Sequence, residues 1–260
     1  MRQTVRLSRG AAALDLVSEI DWHERDSLLK LVFPLDVHAD RFASETQYGH
    51  VFRPTHTNTS WDAARFEVCA HRWIHVGEPG YGVAIANEST YGHDVVRHTR
   101  PDGGTTTTIG LSMVRGPKFP DPDADQGAHT IAHSIRPAAG IREAVAEGYR
   151  ANLPARAVRG AREVEPLVRV SHPAVVVEAV KLAEDRGGDV IVRLYESEGA
   201  KAPTRVQAGF DSGEPRFADL LERDVEPPAG AAFQDGALSV TLRPFQLVTL
   251  RFPRVRAAGR

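Results

Sequence analysis

Between Glu45 and Gly92 the chain concentrates side chains of the kinds that handle sugars. The run Gln47-Tyr48-Gly49-His50-Val51-Phe52-Arg53 is followed by Asn58-Thr59-Ser60-Trp61-Asp62 and Ala70-His71-Arg72-Trp73. After a glycine-rich turn comes Ile85-Ala86-Asn87-Glu88-Ser89-Thr90-Tyr91-Gly92. A pyranose presents an apolar C–H face and a rim of hydroxyls, so aromatic, amide and imidazole groups set close together form a natural pocket lining. Tyr48, Trp61, Trp73, Tyr81 and Tyr91 are the rings able to stack on a sugar. Most of them read as core residues that keep one polar handle free. The same composition also suits a β-sandwich core with polar loops.

Other chemistries find less support. Among the eleven histidines, His71 and His75 are four apart, as are His129 and His133. On a strand that spacing separates two side chains by about 13 Å, too far for one metal ion. His93 and His98 flank an expected hairpin and could approach each other. No Cys-x-x-Cys or His-Glu-x-x-His motif exists, so no metal site is expected in this chain. Asp62 with Glu67 is a candidate carboxylate pair of the kind glycosidases use, held ~5 Å apart in retaining enzymes. Asp121, Asp123 and Asp125 read instead as turn residues around prolines. There is no Gly-x-Ser-x-Gly elbow, and Gly80-Tyr81-Gly82 is too short to cradle a phosphate. No catalytic residue is assigned here.

The formal charge of −2 gives no electrostatic reason to expect nucleic acid or an acidic membrane as partner. No apolar run approaches the ~20 residues of a membrane span, and without a long apolar stretch after Arg2, Arg6 and Arg9 no signal peptide is expected. The single cysteine, Cys69, excludes an intramolecular disulfide and is expected to be a buried structural thiol, in keeping with a reducing cytosol.

Strands must position these residues. Ala13 to Ile20, Arg65 to Cys69, Gly80 to Ala86, Thr105 to Val114 and His129 to Ile135 carry short alternating or β-branched runs. Leu28 to Phe33 is another apolar run, and Pro34 argues against its continuation in a central strand. Pro101-Asp102-Gly103-Gly104 and Asp185-Arg186-Gly187-Gly188 are hairpin turns. Pro137 to Tyr149 has the spacing of one short helix packed on a sheet. Composition shifts after Pro154, and Val175 to Leu182, Leu238 to Leu242 and Leu247 to Phe252 belong to a second β block. The expectation is an all-β chain: a large twisted β-sandwich over 1–154, a linker over 155–172 and a smaller C-terminal β-sandwich over 173–260, with one short helical connection. The tail from Arg254 to Arg260 is expected to fray.

The segments QYGHVFRPTHTNTSWDAARFEV, AHRWIHVGEPGYGVAIANESTYG and MVRGPKFPDPDADQGAH resemble the C-terminal half of glycoside hydrolase family 38 α-mannosidases of the vacuolar and cytosolic type. The similarity runs on through VEAVKLAEDRGGDVIVRLYESEG to TLRPFQLVTLRF. It implies a retaining α-mannosidase acting on α-mannoside oligosaccharides in the cytoplasm. The nucleophilic aspartate and most or all of the ligands of a divalent metal, zinc or cobalt, would lie in a catalytic module N-terminal to this region, supplied in cis or as a separate chain. On this resemblance Tyr48, Asn87 and Tyr91 border the substrate pocket, while Gln47, Arg53, Trp61 and Asp62 hold the loops, an Arg–Asp pair being suited to that role. More distant relatives place an arginine in the second loop; Asn87-Glu88-Ser89 stand there, so that contact does not transfer. The chain alone is expected to be inactive. Homo-oligomerisation stays open, and a stand-alone carbohydrate-binding or scaffold module is the alternative.

Overall fold

The computed structural model describes residues 1–160 and 163–255. The chain divides into two compact units, Met1–Arg156 and Ala157–Arg260.

The first unit holds two antiparallel sheets. Its strands in chain order are β1 (Arg2–Arg6), β2 (Leu14–Trp22), β3 (Ser27–Leu35), β4 (Arg41–Thr46), β5 (Gly49–Pro54), β6 (Val68–Cys69), β7 (Trp73–Glu78), β8 (Tyr81–Asn87), β9 (Gly92–Thr99), β10 (Thr105–Gly116) and β11 (Gly127–Pro137), with helices α1 (Ser60–Ala63) and α2 (Ile141–Asn152). One sheet runs β1-β2-β11-β8-β7-β4-β5 and the other β3-β10-β9-β6. The interior between them joins Phe42, Ile74, Val76, Val83 and Ile85 of the first to Val95, Ile109 and Leu111 of the second. Alternation along β8 therefore sends Val83, Ile85 and Asn87 inward, and leaves Ala84 and Ala86 for the opposite face. Pro34 does lie within β3, and β3 is an edge strand, where a missing N–H costs no ladder bond.

Helix α2 packs on that opposite face against β7, β8 and β11. Glu147 on its buried side accepts from Ser134 Oγ (2.6 Å) and Arg150 Nε (2.8 Å), and lies 3.8 Å from Arg136 Nη1. Close approach is possible because Gly148 has no side chain: a Cβ there would stand 2.7 Å from Trp73 Cδ1. The entry to α2 is fixed by His75 Nε2, which donates to Ala139 O (2.8 Å).

Among the described residues, the second unit is a sandwich of eight strands. Its strands are β12 (Val168–Val170), β13 (Val175–Leu182), β14 (Val190–Glu196), β15 (Ala202–Ala208), β16 (Arg216–Ala218), β17 (Ala232–Gln234), β18 (Ala237–Leu242) and β19 (Leu247–Phe252), in the orders β12-β15-β18-β17 and β13-β14-β19-β16. Val192, Leu194 and Leu250 of one sheet meet Val206, Leu238 and Leu242 of the other. The expected hairpin over 185–188 joins β13 to β14, and β13 is one strand with a bulge between Val177 and Ala179. The all-β reading is borne out. The expected fraying tail lies outside the described residues from 256 onward, as do residues 161 and 162 of the expected linker.

Candidate functional site

Three connections gather at one end of the larger sandwich: the β4–β5 turn at Gln47-Tyr48, the segment 70–72 entering β7, and the loop 88–91 between β8 and β9. Backbone bonds lock the last two together. Ala70 N donates to Tyr91 O (3.0 Å), and Asn87 N donates to Arg72 O (2.9 Å). His71 N donates to Glu45 O (3.0 Å), which ties the segment to β4 as well.

Under this surface lies a charged clasp. Glu45, at the end of β4, is buried. Arg72 Nη2 donates to its Oε1 at 2.7 Å, Arg72 Nε reaches the same carboxylate at 3.1 Å, and Arg72 N donates to Oε2 at 2.7 Å. The guanidinium also stacks 4.0 Å over the Tyr149 ring. Burial works against the charge on Arg72, but Glu45 outweighs it and holds the group more basic than usual. His71 Nδ1 lies 3.7 Å from Glu45 Oε2, so the same carboxylate also faces an imidazole nearer the surface.

Above the clasp stand rings open to solvent. Tyr48 is 40% exposed and Tyr91 49% exposed. His71 and Tyr91 meet at 6.0 Å between ring centroids. Tyr48 takes a left-handed φ of 58°, a conformation that costs a non-glycine residue about 1 kcal/mol or more and that collects at binding sites. His133, inside, pairs with Thr90 Oγ1 at 2.8 Å and secures the second loop. Burial, and then the nearby His93, lower its pKa to about 4.

Several expected residues fall elsewhere. Asn87 is fully buried, because its position on β8 shares the inward parity of Ile85. Its Nδ2 donates to His71 O (3.0 Å), and its Oδ1 has no partner; it supports the surface from behind. Arg53 and Asp62 do not pair: Arg53 Nε donates to Ser44 Oγ (3.0 Å), while Asp62 receives Thr59 Oγ1 (2.7 Å) as part of the α1 cap. Trp61 is 80% exposed on α1. Gln47 is exposed at the turn beside Tyr48. Of the five candidate rings only Trp73 is a core residue, which corrects the expectation that most would be. Cys69 is exposed rather than buried, because β6 is a two-residue edge strand. His93 and His98 both lie on β9, since the hairpin turns later, at Arg100–Gly104, so they do not converge. Asp62 and Glu67 each have cationic or hydroxyl partners of their own. Glu45 and Arg72 were missed from sequence.

Among the described residues, no three His, Cys, Asp or Glu side chains gather as a metal-binding group. Among the described residues, then, no such group offers itself to the divalent metal that the resemblance places in the catalytic module.

Comparison with known proteins agrees with this architecture. Residues 1–123 match the model of the glycosyl hydrolases family 38 C-terminal domain, and residues 174–250 match that of the family 38 C-terminal beta sandwich domain. Alpha-mannosidase 2C1 of Homo sapiens is 35% identical over 259 residues, covering 96% of this chain and 24% of its own length. An alpha-mannosidase of Saccharomyces cerevisiae is 28% identical over 89% of the chain and 23% of its own length. The chain thus spans about a quarter of the curated relatives it matches. The crystal structure of an alpha-mannosidase from Enterococcus faecalis V583 superposes with a TM-score of 0.74 at 21% identity, over 96% of this chain and 28% of that one, which is a likeness of fold. With one family 38 C-terminal model on each β unit, the chain belongs to glycoside hydrolase family 38 as its C-terminal β region.

Proposed function

We propose that this chain is the C-terminal portion of a retaining, metal-dependent α-mannosidase that removes terminal α-mannosyl residues from oligosaccharides in the cytosol. The catalytic module, with its nucleophile and its zinc or cobalt, would be joined in cis or supplied as a second chain. The match of both β units to family 38 models carries the reading. The absence of a helix long and apolar enough to cross a membrane, among the described residues, accords with it.

In this reading Tyr48, His71 and Tyr91 form one rim of the sugar pocket. Their rings can cover a C–H face, and their polar atoms can reach hydroxyls. Glu45 and Arg72 act as positioning residues that hold the rim. A preformed rim saves the ordering cost of binding.

The test is mannose release from a p-nitrophenyl α-mannoside with zinc or cobalt. The chain is assayed alone, then together with a family 38 catalytic module. Activity is expected only with both. Release that scales with this chain alone would overturn the reading, as would an active catalytic module indifferent to its presence. Sugar binding by the chain without any gain in hydrolysis would favour the carbohydrate-binding module instead.

A further inference from the structure

On the flank of the larger sandwich, β5, α1 and β9 enclose a second space of about 220 Å3. We propose that this cavity binds one neutral polyol ring of hexose size, separately from the rim at Tyr48 and Tyr91.

Four observations carry this. The space lies below the roughly 300–1,000 Å3 of drug-sized pockets, so it suits one ring and not a chain of them. Its walls are charged but balanced: Arg53 and Arg65 line it with Asp62, Glu67 and Asp94, and Lys30 bridges Glu67 (3.2 Å) and Asp94. With Lys30 counted from behind the wall, three cations against three carboxylates leave no net attraction for an ion, and the lining offers both donors and acceptors. Hydroxyls, which donate and accept, satisfy such a lining. Phe42 and Val95 add a buried apolar surface, and Phe66 adds an exposed ring at the cavity.

The fourth observation is His93, which also lines the cavity. The residue is fully buried. Its Nδ1 donates to Tyr91 O at 3.0 Å, so the proton of the neutral ring sits there and Nε2 keeps its lone pair. That Nε2 is buried and has no hydrogen-bond partner. Desolvation lowers the imidazole pKa and keeps it neutral. The atom is closed off from the cavity, so a ring reaches it only once a lining side chain moves; its hydroxyl would then recover the about 1–3 kcal/mol that an unsatisfied buried acceptor costs. A phosphate would meet three carboxylates.

The proposal does not rest on the mannosidase reading, and its test reads binding. The full chain is titrated with mannose, glucose, glycerol and inorganic phosphate, following saturation transfer and amide shifts. A hexose is expected to bind with a Kd of about 1 mM or tighter and to shift the amides of His93 to Val96 and of Arg53. Phe66→Ala and Arg65→Ala change exposed side chains and should each weaken binding severalfold with the melting temperature unchanged. His93→Phe should abolish it. Three results would overturn the proposal: no hexose binding at millimolar concentration, preference for phosphate, or shifts confined to Tyr48 and Tyr91. The last would leave the mannosidase reading standing.

Discussion

Glu45 holds Arg72 at three points, taking the side-chain Nη2 and Nε and the backbone N–H of the same residue. The fork fixes the side chain and the backbone bond fixes the chain entering β7, so one carboxylate sets the position of His71 and of the loop it carries. Glu45→Ala would leave a guanidinium largely desolvated and unpaired. We expect a loss of about 3 kcal/mol, at the low end for a broken buried pair because Arg72 keeps some contact with water. Arg72→Lys keeps the charge but not the fork, and should cost less, about 1–2 kcal/mol. Urea denaturation of the two variants checks this; equal losses would mean that the planar geometry is irrelevant.

Acid should weaken the larger sandwich before its carboxylates titrate. An unfolded imidazole ionises near 6.5, whereas His133 is lowered to about 4, by burial first and then by His93. The unfolded chain therefore binds the proton more readily. The stability due to neutral His133 is complete above about pH 6.5 and is lost as pH falls toward 4, a term on the order of 3 kcal/mol. His75 and His93 are shifted the same way by burial. Urea midpoints at pH 7.5 and pH 5 should differ, and His133→Gln should flatten the slope. A midpoint unchanged between those two values would refute the assignment.

Gly82 admits the helix. A Cβ there would lie 2.5 Å from both Ala139 O and His75 Nε2, and so inside the bond that fixes the entry to α2. Gly82→Ala should destabilise by about 1–3 kcal/mol, as overpacking does. Amide exchange should quicken across α2 while the second unit is unaffected. Uniform protection in the variant would show that the bond does not anchor the helix.

In the smaller sandwich, buried Glu196 accepts from the backbone N–H groups of Glu198 (2.8 Å), Gly199 (2.8 Å) and Phe245 (3.0 Å). Glu196→Gln turns one acceptor end into a donor facing N–H groups. A loss of about 1–3 kcal/mol is expected, read as a lower thermal midpoint. An unchanged midpoint would mean the amide finds its partners by rotating.

The fold was legible in the sequence because alternation and turn chemistry act locally. The Asp185-Arg186-Gly187-Gly188 turn and the helix expected over Pro137–Tyr149, which runs from Ile141 to Asn152, needed only residues within about one turn of each other. Asn87 could also have been placed: Val83, Ile85 and Asn87 share one parity, and apolar residues at the first two mark the inward face. The Glu45–Arg72 clasp could not. Its partners are 27 residues apart and meet only because β4 pairs β7 with Ser44 opposite Ile74. Register of that kind is decided by the whole sheet, as was the exposure of Cys69 on a two-residue edge.

That edge has a practical consequence. The chain has one thiol, it is exposed, and Cys69 adjoins Ala70, which is bonded to Tyr91. A maleimide dye would attach at a single place, two residues from His71, without any engineered change. The unaltered polypeptide thus carries its own labelling point for fluorescence, able to report whether the proposed rim is covered by sugar or by a second module.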